Sequence, residues 1–178
     1  MATCLILGSA DCLHDDLARY AGPVDGCVAC NDAGAEWPGR LDAWVTLHPS
    51  HWVHKGWLAA RRRNGYPDAL ELRTNNTADV KNLFAANGIE AVQTEYCFPG
   101  QEHSGSSGMF AAKVALIDLG FERAVLCGIP MTPTPHFYGG PAWDVAGRYL
   151  QRWRDVPAEY KDRIRSMSGA TRELLGAP

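Results

Sequence analysis

The stretch "EHSGSSGMFAAKVALIDLGFERAVLCGIP", residues 102–130, decides how this chain is read. Gly105, Ser106, Ser107 and Gly108 stand directly before an apolar run that ends at Leu119-Gly120. That order spells a helix over 107–119 with glycine at its C-terminal end. A short β-rich run, Arg123 to Cys127, follows and is stopped by Gly128. Small-residue loop, helix and buried strand form one unit of an alternating α/β chain.

The same alternation extends to both ends. Upstream it predicts strands over 3–8, 24–31, 42–48 and 89–94, with a weak one over 69–73. Between them it predicts helices over 11–20, 52–63 and 77–87, the last capped by Thr77 and ended by Asn87-Gly88. Downstream, four prolines keep residues 129–141 irregular. Helices are expected over 142–153 and 157–165, and Ser168 is placed as the cap of a last one reaching Leu175. The strands show little polar alternation, as strands covered on both faces do. The expected fold is α/β: a single Rossmann-like domain with a mostly parallel open sheet, helices on both faces and C-terminal helices. Its parts are a core over 3–130, a loop over 129–141 and a helical segment over 142–175.

A chain of 178 residues with 46% hydrophobic and 21% charged residues suits one soluble globular domain. A formal net charge of -3 does not point to nucleic acid. Arg61-Arg62-Arg63 reads as a solvated helix face. Neither a signal peptide nor a run of membrane-spanning length is legible, so the cytoplasm is expected. Cys4, Cys27, Cys30 and Cys127 fall in apolar strands and read as reduced core residues. Cys27 and Cys30 match C-x-x-C, but residues three apart on a strand face opposite ways and share no metal easily. His48, His51 and His54 are spaced by three, with no carboxylate or thiol to complete a zinc set. No metal site is expected. Trp37, Trp44, Trp52 and Trp57 either fill the core or line a pocket.

In an open parallel sheet, ligands bind beyond the carboxyl ends of the strands. The loops there hold Gly8-Ser9-Ala10-Asp11, Asn31-Asp32, His48 to His51, Tyr96 to Gly108, and Gly128 to Gly140. Four of the six histidines fall in them. Free N–H groups at the start of the 107–119 helix favour an anion, and two serine hydroxyls add donors. Plain N-capping by a serine is the simpler account of the same residues. Facing Gly8 and Asn31 across the rim, the loop reads as a ligand seat. No P-loop, full G-x-G-x-x-G, nucleophile elbow or H-E-x-x-H occurs.

Four blocks in order, Cys4-Leu-Ile-Leu-Gly8, Cys27-Val-Ala-Cys-Asn31, Ser106-Ser-Gly-Met-Phe-Ala-Ala112 and Leu119-Gly-Phe-Glu-Arg-Ala-Val-Leu-Cys-Gly-Ile129, resemble the bacterial sialyltransferases that modify lipooligosaccharide. The chain is also similar to the related MptE-like pterin diphosphokinase group. The resemblance implies a glycosyltransferase acting on a nucleotide-sugar, a CMP-sugar above others, without metal and with no cofactor beyond that co-substrate. It implies nucleotide contacts from Gly8, Asn31, Ser107 and Gly108, and Ser9, Ser106 and Gly128 in the same rim loops are placed with them as nucleotide-binding residues. It implies a histidine general base in the C-terminal part, for which His136 is the candidate; Asp32 and His48, at the ends of the second and third strands, are the substitutes. Imidazole suits the task because it exchanges protons near neutral pH. Where that family reads Gly-Asn-Gly-Pro-Ser after the first strand, this chain reads Gly8-Ser-Ala-Asp-Cys12, and Pro130 replaces a common Asp after Gly-Ile. The alternative is a non-catalytic Rossmann-like scaffold, an assembly or accessory protein whose partner surface is the aromatic segment Trp143 to Trp153, with Arg154 beside it. A third reading, diphosphate transfer as in the pterin group, would need carboxylates such as Asp11, Asp32 and Asp42 to hold a metal.

Overall fold

The structure is a computed structural model that describes residues 1–103 and 105–178. Seven strands form a single sheet in the order β5-β4-β3-β2-β1-β6-β7. They are β1 (Thr3–Leu7), β2 (Gly26–Cys30), β3 (Ala43–Val45), β4 (Leu72–Thr74), β5 (Val92–Gln93), β6 (Arg123–Cys127) and β7 (Ile164–Ser166). Every neighbouring pair is parallel. β1 is central, with Leu5 opposite Cys27 on one side and Val125 on the other. The chain winds outward from β1 to β5, then crosses back to β6. The sheet order therefore reverses between β1 and β6, which is where an open α/β sheet leaves a crevice.

Both faces are covered, as the burial of all of β1 and of β6 from Ala124 to Cys127 requires. One face carries α6 (Ser107–Lys113), α7 (Ala146–Arg154) and α9 (Gly169–Leu175) around Phe110, Trp153 and Leu175. The other packs α1 (Leu13–Arg19), α2 (Ala33–Glu36), α3 (His51–His54), α4 (Trp57–Arg63) and α5 (Lys81–Asn87) over Trp44, Trp52, Trp57 and Phe84. Trp44 meets Trp52 edge-on and stacks on Trp57, so these three tryptophans are core. Cys27 and Cys30 lie in the two separate cores, on opposite sheet faces. Burial pushes the Cys30 thiol up to about 12, and the Cys127 thiol likewise. These are inert packing groups.

Several expectations need correction. The helix expected over 52–63 is broken by Gly56, whose φ of 68° is left-handed, giving α3 and α4. The helix expected over 157–165 stops early: α8 covers Ala158–Lys161, and Ile164–Ser166 is an edge strand instead. Ile164 and Ser166 are buried on either side of Arg165, a three-residue alternation too short to read against a helical background. Neither Thr77 nor Ser168 caps with its side chain. The Thr77 hydroxyl donates to Gln93 Oε1 at 2.8 Å, and that of Ser168 to Asp16 Oδ2 at 2.8 Å. Arg61 is not solvated but fully buried. Its guanidinium donates to the carbonyls of Pro67, Gly34, Trp37 and Gly39 at 2.6 to 2.8 Å. Burial lowers its pKa.

The predicted 107–119 helix forms, but its second half, Val114–Asp118, is a π-turn. That wider turn brings Asp118 back beside Lys113, five residues earlier. Lys113 Nζ donates to both Asp118 oxygens, at 2.8 and 3.1 Å, and to Thr94 Oγ1 at 3.1 Å. Arg73 lies 3.4 Å from the same carboxylate. Lys113→Met is expected to destabilise by about 2 kcal/mol, less than a buried charge stripped of every partner because Arg73 remains. Adding Asp118→Asn should recover part of the loss in a urea-unfolding double-mutant cycle; purely additive effects would show that the pair is not coupled.

Candidate functional site

A cleft of about 380 Å³ opens at the reversal point, beyond the carboxyl ends of β1, β2 and β6. Gly8, Ser9, Asn31, Ser106, Ser107, Gly108 and Gly128 all line it. So do His48 and His136. The structure therefore brings the whole predicted nucleotide set and two of the three candidate bases to one place. Asp32 is not on the cleft wall.

Gly8 and Gly128 form its floor. A Cβ on Gly8 would sit 2.3 Å from the Gly128 carbonyl oxygen, and one on Gly128 would sit 2.7 Å from the Gly8 oxygen. Gly128 also has a left-handed φ of 69°. The two glycines are thus required by backbone meeting backbone as β1 and β6 emerge side by side. Gly128 N–H donates to Asp16 Oδ2 at 2.9 Å, so a fully buried carboxylate on α1 fixes the floor from behind. Gly108 lets α6 close on Ile129, where an added Cβ would lie 3.0 Å from that side chain.

The polar groups of the walls are oriented by their neighbours. Asn31 adopts a left-handed φ of 50°, which asparagine tolerates better than bulkier residues. The His48 N–H donates to Thr46 Oγ1 at 3.0 Å, and the Thr46 hydroxyl donates to Asn31 Oδ1 at 2.8 Å. That chain fixes the amide so that Nδ2, with its two N–H donors, is left for the cleft. Ser106 holds the cap position of α6 but makes no side-chain cap bond. Among the described residues its hydroxyl and that of Ser9 have no partner, although these residues are only 9% and 7% exposed. Plain N-capping therefore does not account for Ser106. Each unpaired hydroxyl costs about 1–3 kcal/mol, which a ligand in the cleft would offset.

The proline-rich loop expected over 129–141 is irregular, as predicted, but tightly moored. Phe137 N–H donates to the Ser9 carbonyl at 3.0 Å, Asp11 N–H to Pro135 at 3.0 Å, and the Thr134 hydroxyl to Asp11 Oδ1. His136 Nδ1 donates to the same Ser9 carbonyl at 3.2 Å. A carbonyl only accepts, so Nδ1 carries the proton and Nε2 of the neutral ring is the free base. Across the cleft, the His48 and His51 rings lie 5.1 Å apart. Burial, with Lys55 and His48 nearby, lowers the His51 pKa.

Sequence reading missed part of the wall. Tyr96 and Met131 line the cleft, and Met131 holds a left-handed φ of 50° that is uncommon for its type. Trp143 and Tyr149 line it as a stacked pair, with ring centroids 5.0 Å apart. Their aromatic character was legible, but it pointed to a partner surface. Trp153, in the same segment, is fully buried in the core.

No protein-family profile matches this chain, and no curated protein matches its sequence. Solved structures do match. The sialyltransferase CstII from Campylobacter jejuni, in complex with the substrate analogue cytidine-5'-monophosphate, gives a TM-score of 0.64 at 14% identity, over 99% of this chain and 85% of that one. Cst-II in complex with a trisaccharide acceptor and CMP gives 0.68 at 14% identity, over 98% and 85%. The monofunctional α-2,3-sialyltransferase Cst-I from Campylobacter jejuni gives 0.67 at 12% identity, over 100% and 80%. Along nearly its whole length, then, this chain shares its fold with the Campylobacter sialyltransferases, as a remote structural relative.

Proposed function

We propose that this protein is a glycosyltransferase that moves a sugar from a nucleotide-sugar, a CMP-sugar above others, to an acceptor hydroxyl without a metal ion. One observation carries the reading: Ser9, Asn31 and Ser106 offer unused hydrogen-bonding groups in the same cleft as His136. Ser9, Asn31, Ser106 and Ser107 would hold the nucleotide, with Gly8, Gly108 and Gly128 letting it approach the backbone. His136 Nε2 would take the acceptor O–H proton as that oxygen attacks the anomeric carbon. The phosphate of the nucleotide would leave with the bonding electron pair. Among the described residues no Asp or Glu lines the cleft, and divalent ions on phosphates are usually held by carboxylates. That composition supports metal-independent chemistry and disfavours diphosphate transfer. Six free cysteines fit a reducing compartment such as the cytoplasm. Among the described residues no helix is long and apolar enough to cross a membrane.

Thermal unfolding against CMP, CMP-sialic acid, UDP-sugars, GDP-sugars and ATP tests the reading. A cytidine nucleotide at roughly 100 times its dissociation constant should stabilise the fold by about 2.7 kcal/mol. Asn31→Ala should remove most of that gain. A flat response to every nucleotide would reject the transferase and favour the non-catalytic scaffold.

A further inference from the structure

The loop that bears His136 also presents Tyr138. Their rings stack with centroids 5.0 Å apart and planes within 5°. Phe137, between them, turns instead against the second core and meets the Tyr138 ring edge-on. Tyr138 is 58% exposed and belongs to neither core, so its ring packs on His136 and Phe137. Burial of the phenol and then the charge of the nearby Asp32 carboxylate raise its pKa. Asp32 directly follows Asn31 at the end of β2.

We infer that Tyr138 is a positioning residue for the His136 base, clamping the imidazole between the Ser9 carbonyl and its own stacked phenol ring. This rests on the transferase reading of His136. An imidazole held by one hydrogen bond still swings about its Cβ–Cγ bond. A parallel ring against its face removes that freedom, so Nε2 keeps a single direction. When Nε2 takes the proton of the acceptor hydroxyl, the imidazolium lies over an aromatic face that attracts cations. The other titratable groups around the loop are Asp11, bonded to Thr134, His14, packed on Phe137, and His48 on the cleft wall.

Nitrogen-15 NMR of the imidazoles in the ligand-free full chain tests this directly. The neutral ring of His136 is expected as one tautomer, protonated on Nδ1. Tyr138→Leu should give a mixture of both tautomers, while Tyr138→Phe, which keeps the stacked ring, should stay close to the unaltered protein. In turnover assays Tyr138→Leu should lower kcat about 10-fold with KM nearly unchanged, as a misdirected base would. An unmixed tautomer in Tyr138→Leu would overturn the inference, as would a loss seen only in KM. If no donor is turned over by the unaltered protein, the transferase reading falls, and the tautomer measurement still decides whether Tyr138 orients the ring. The exposed position keeps folding out of the result, which equal unfolding midpoints would verify.

Discussion

His136→Ala is expected to lower turnover by at least about 100-fold, the usual range for a lost general base. Nucleotide-induced stabilisation should stay within about 0.5 kcal/mol of the unaltered protein, as for a substitution away from the binding contacts. The separation follows from geometry. Nδ1 is committed to the Ser9 carbonyl, leaving Nε2 as the group that accepts a proton. Removing the ring does not free the loop, because Phe137 N–H still donates to Ser9, and Asp11 still holds Pro135 and Thr134. Initial rates with a saturating donor, beside thermal shifts with CMP, check both halves. Surviving turnover would move the base to His48, the other imidazole of the cleft wall.

Arg61→Met is expected to destabilise the fold by about 4 kcal/mol, because it strips four carbonyl oxygens of their charged donor. Gly34, Trp37 and Gly39 belong to α2 and the turn after it, and Pro67 to the segment leading to β4. One guanidinium thus gathers two crossovers on the same face of the sheet. Arg61→Lys should recover only part of the loss, since an ammonium cannot span four acceptors in a plane. Urea unfolding measures both variants. A loss under about 1 kcal/mol for Arg61→Met would mean that the carbonyls find water or other donors, against the tight burial described.

What the sequence disclosed depended on how local the signal was. The β1, β2 and β6 runs were legible because strands buried on both faces read as unbroken apolar blocks. Their loops followed, so the order of the residues alone was enough to place Gly8, Asn31 and Gly128 on one rim. β7 was not legible, since Ile164-Arg165-Ser166 becomes a strand only by pairing with β6 far upstream. Arg61 was misread because three arginines in a row look alike, and only tertiary contact distinguishes the one whose acceptors lie up to 27 residues away. The serines and threonine placed as caps failed for a related reason. Ser168 prefers a buried carboxylate, Thr77 a glutamine side chain, and Ser106 neither, so a hydroxyl at a helix start does not reveal which partner it takes.

The bond from Gly128 to Asp16 reaches further than the cleft floor. Asp16 also accepts from Ser168, which opens α9, while Thr171 donates its hydroxyl to the Ile129 carbonyl and its N–H to Pro130. The last thirty residues of the chain therefore interlock with the first twenty through the strand that separates them, and they also supply β7 as the outer neighbour of β6. Residues 3–130 hold most of the sheet but do not make a self-sufficient unit. A shortened chain ending at residue 141 would bare the flank of β6 and deprive a buried carboxylate of one of its donors. The tail is a keystone, and the shape of the binding cleft is inherited from both ends of the polypeptide at once.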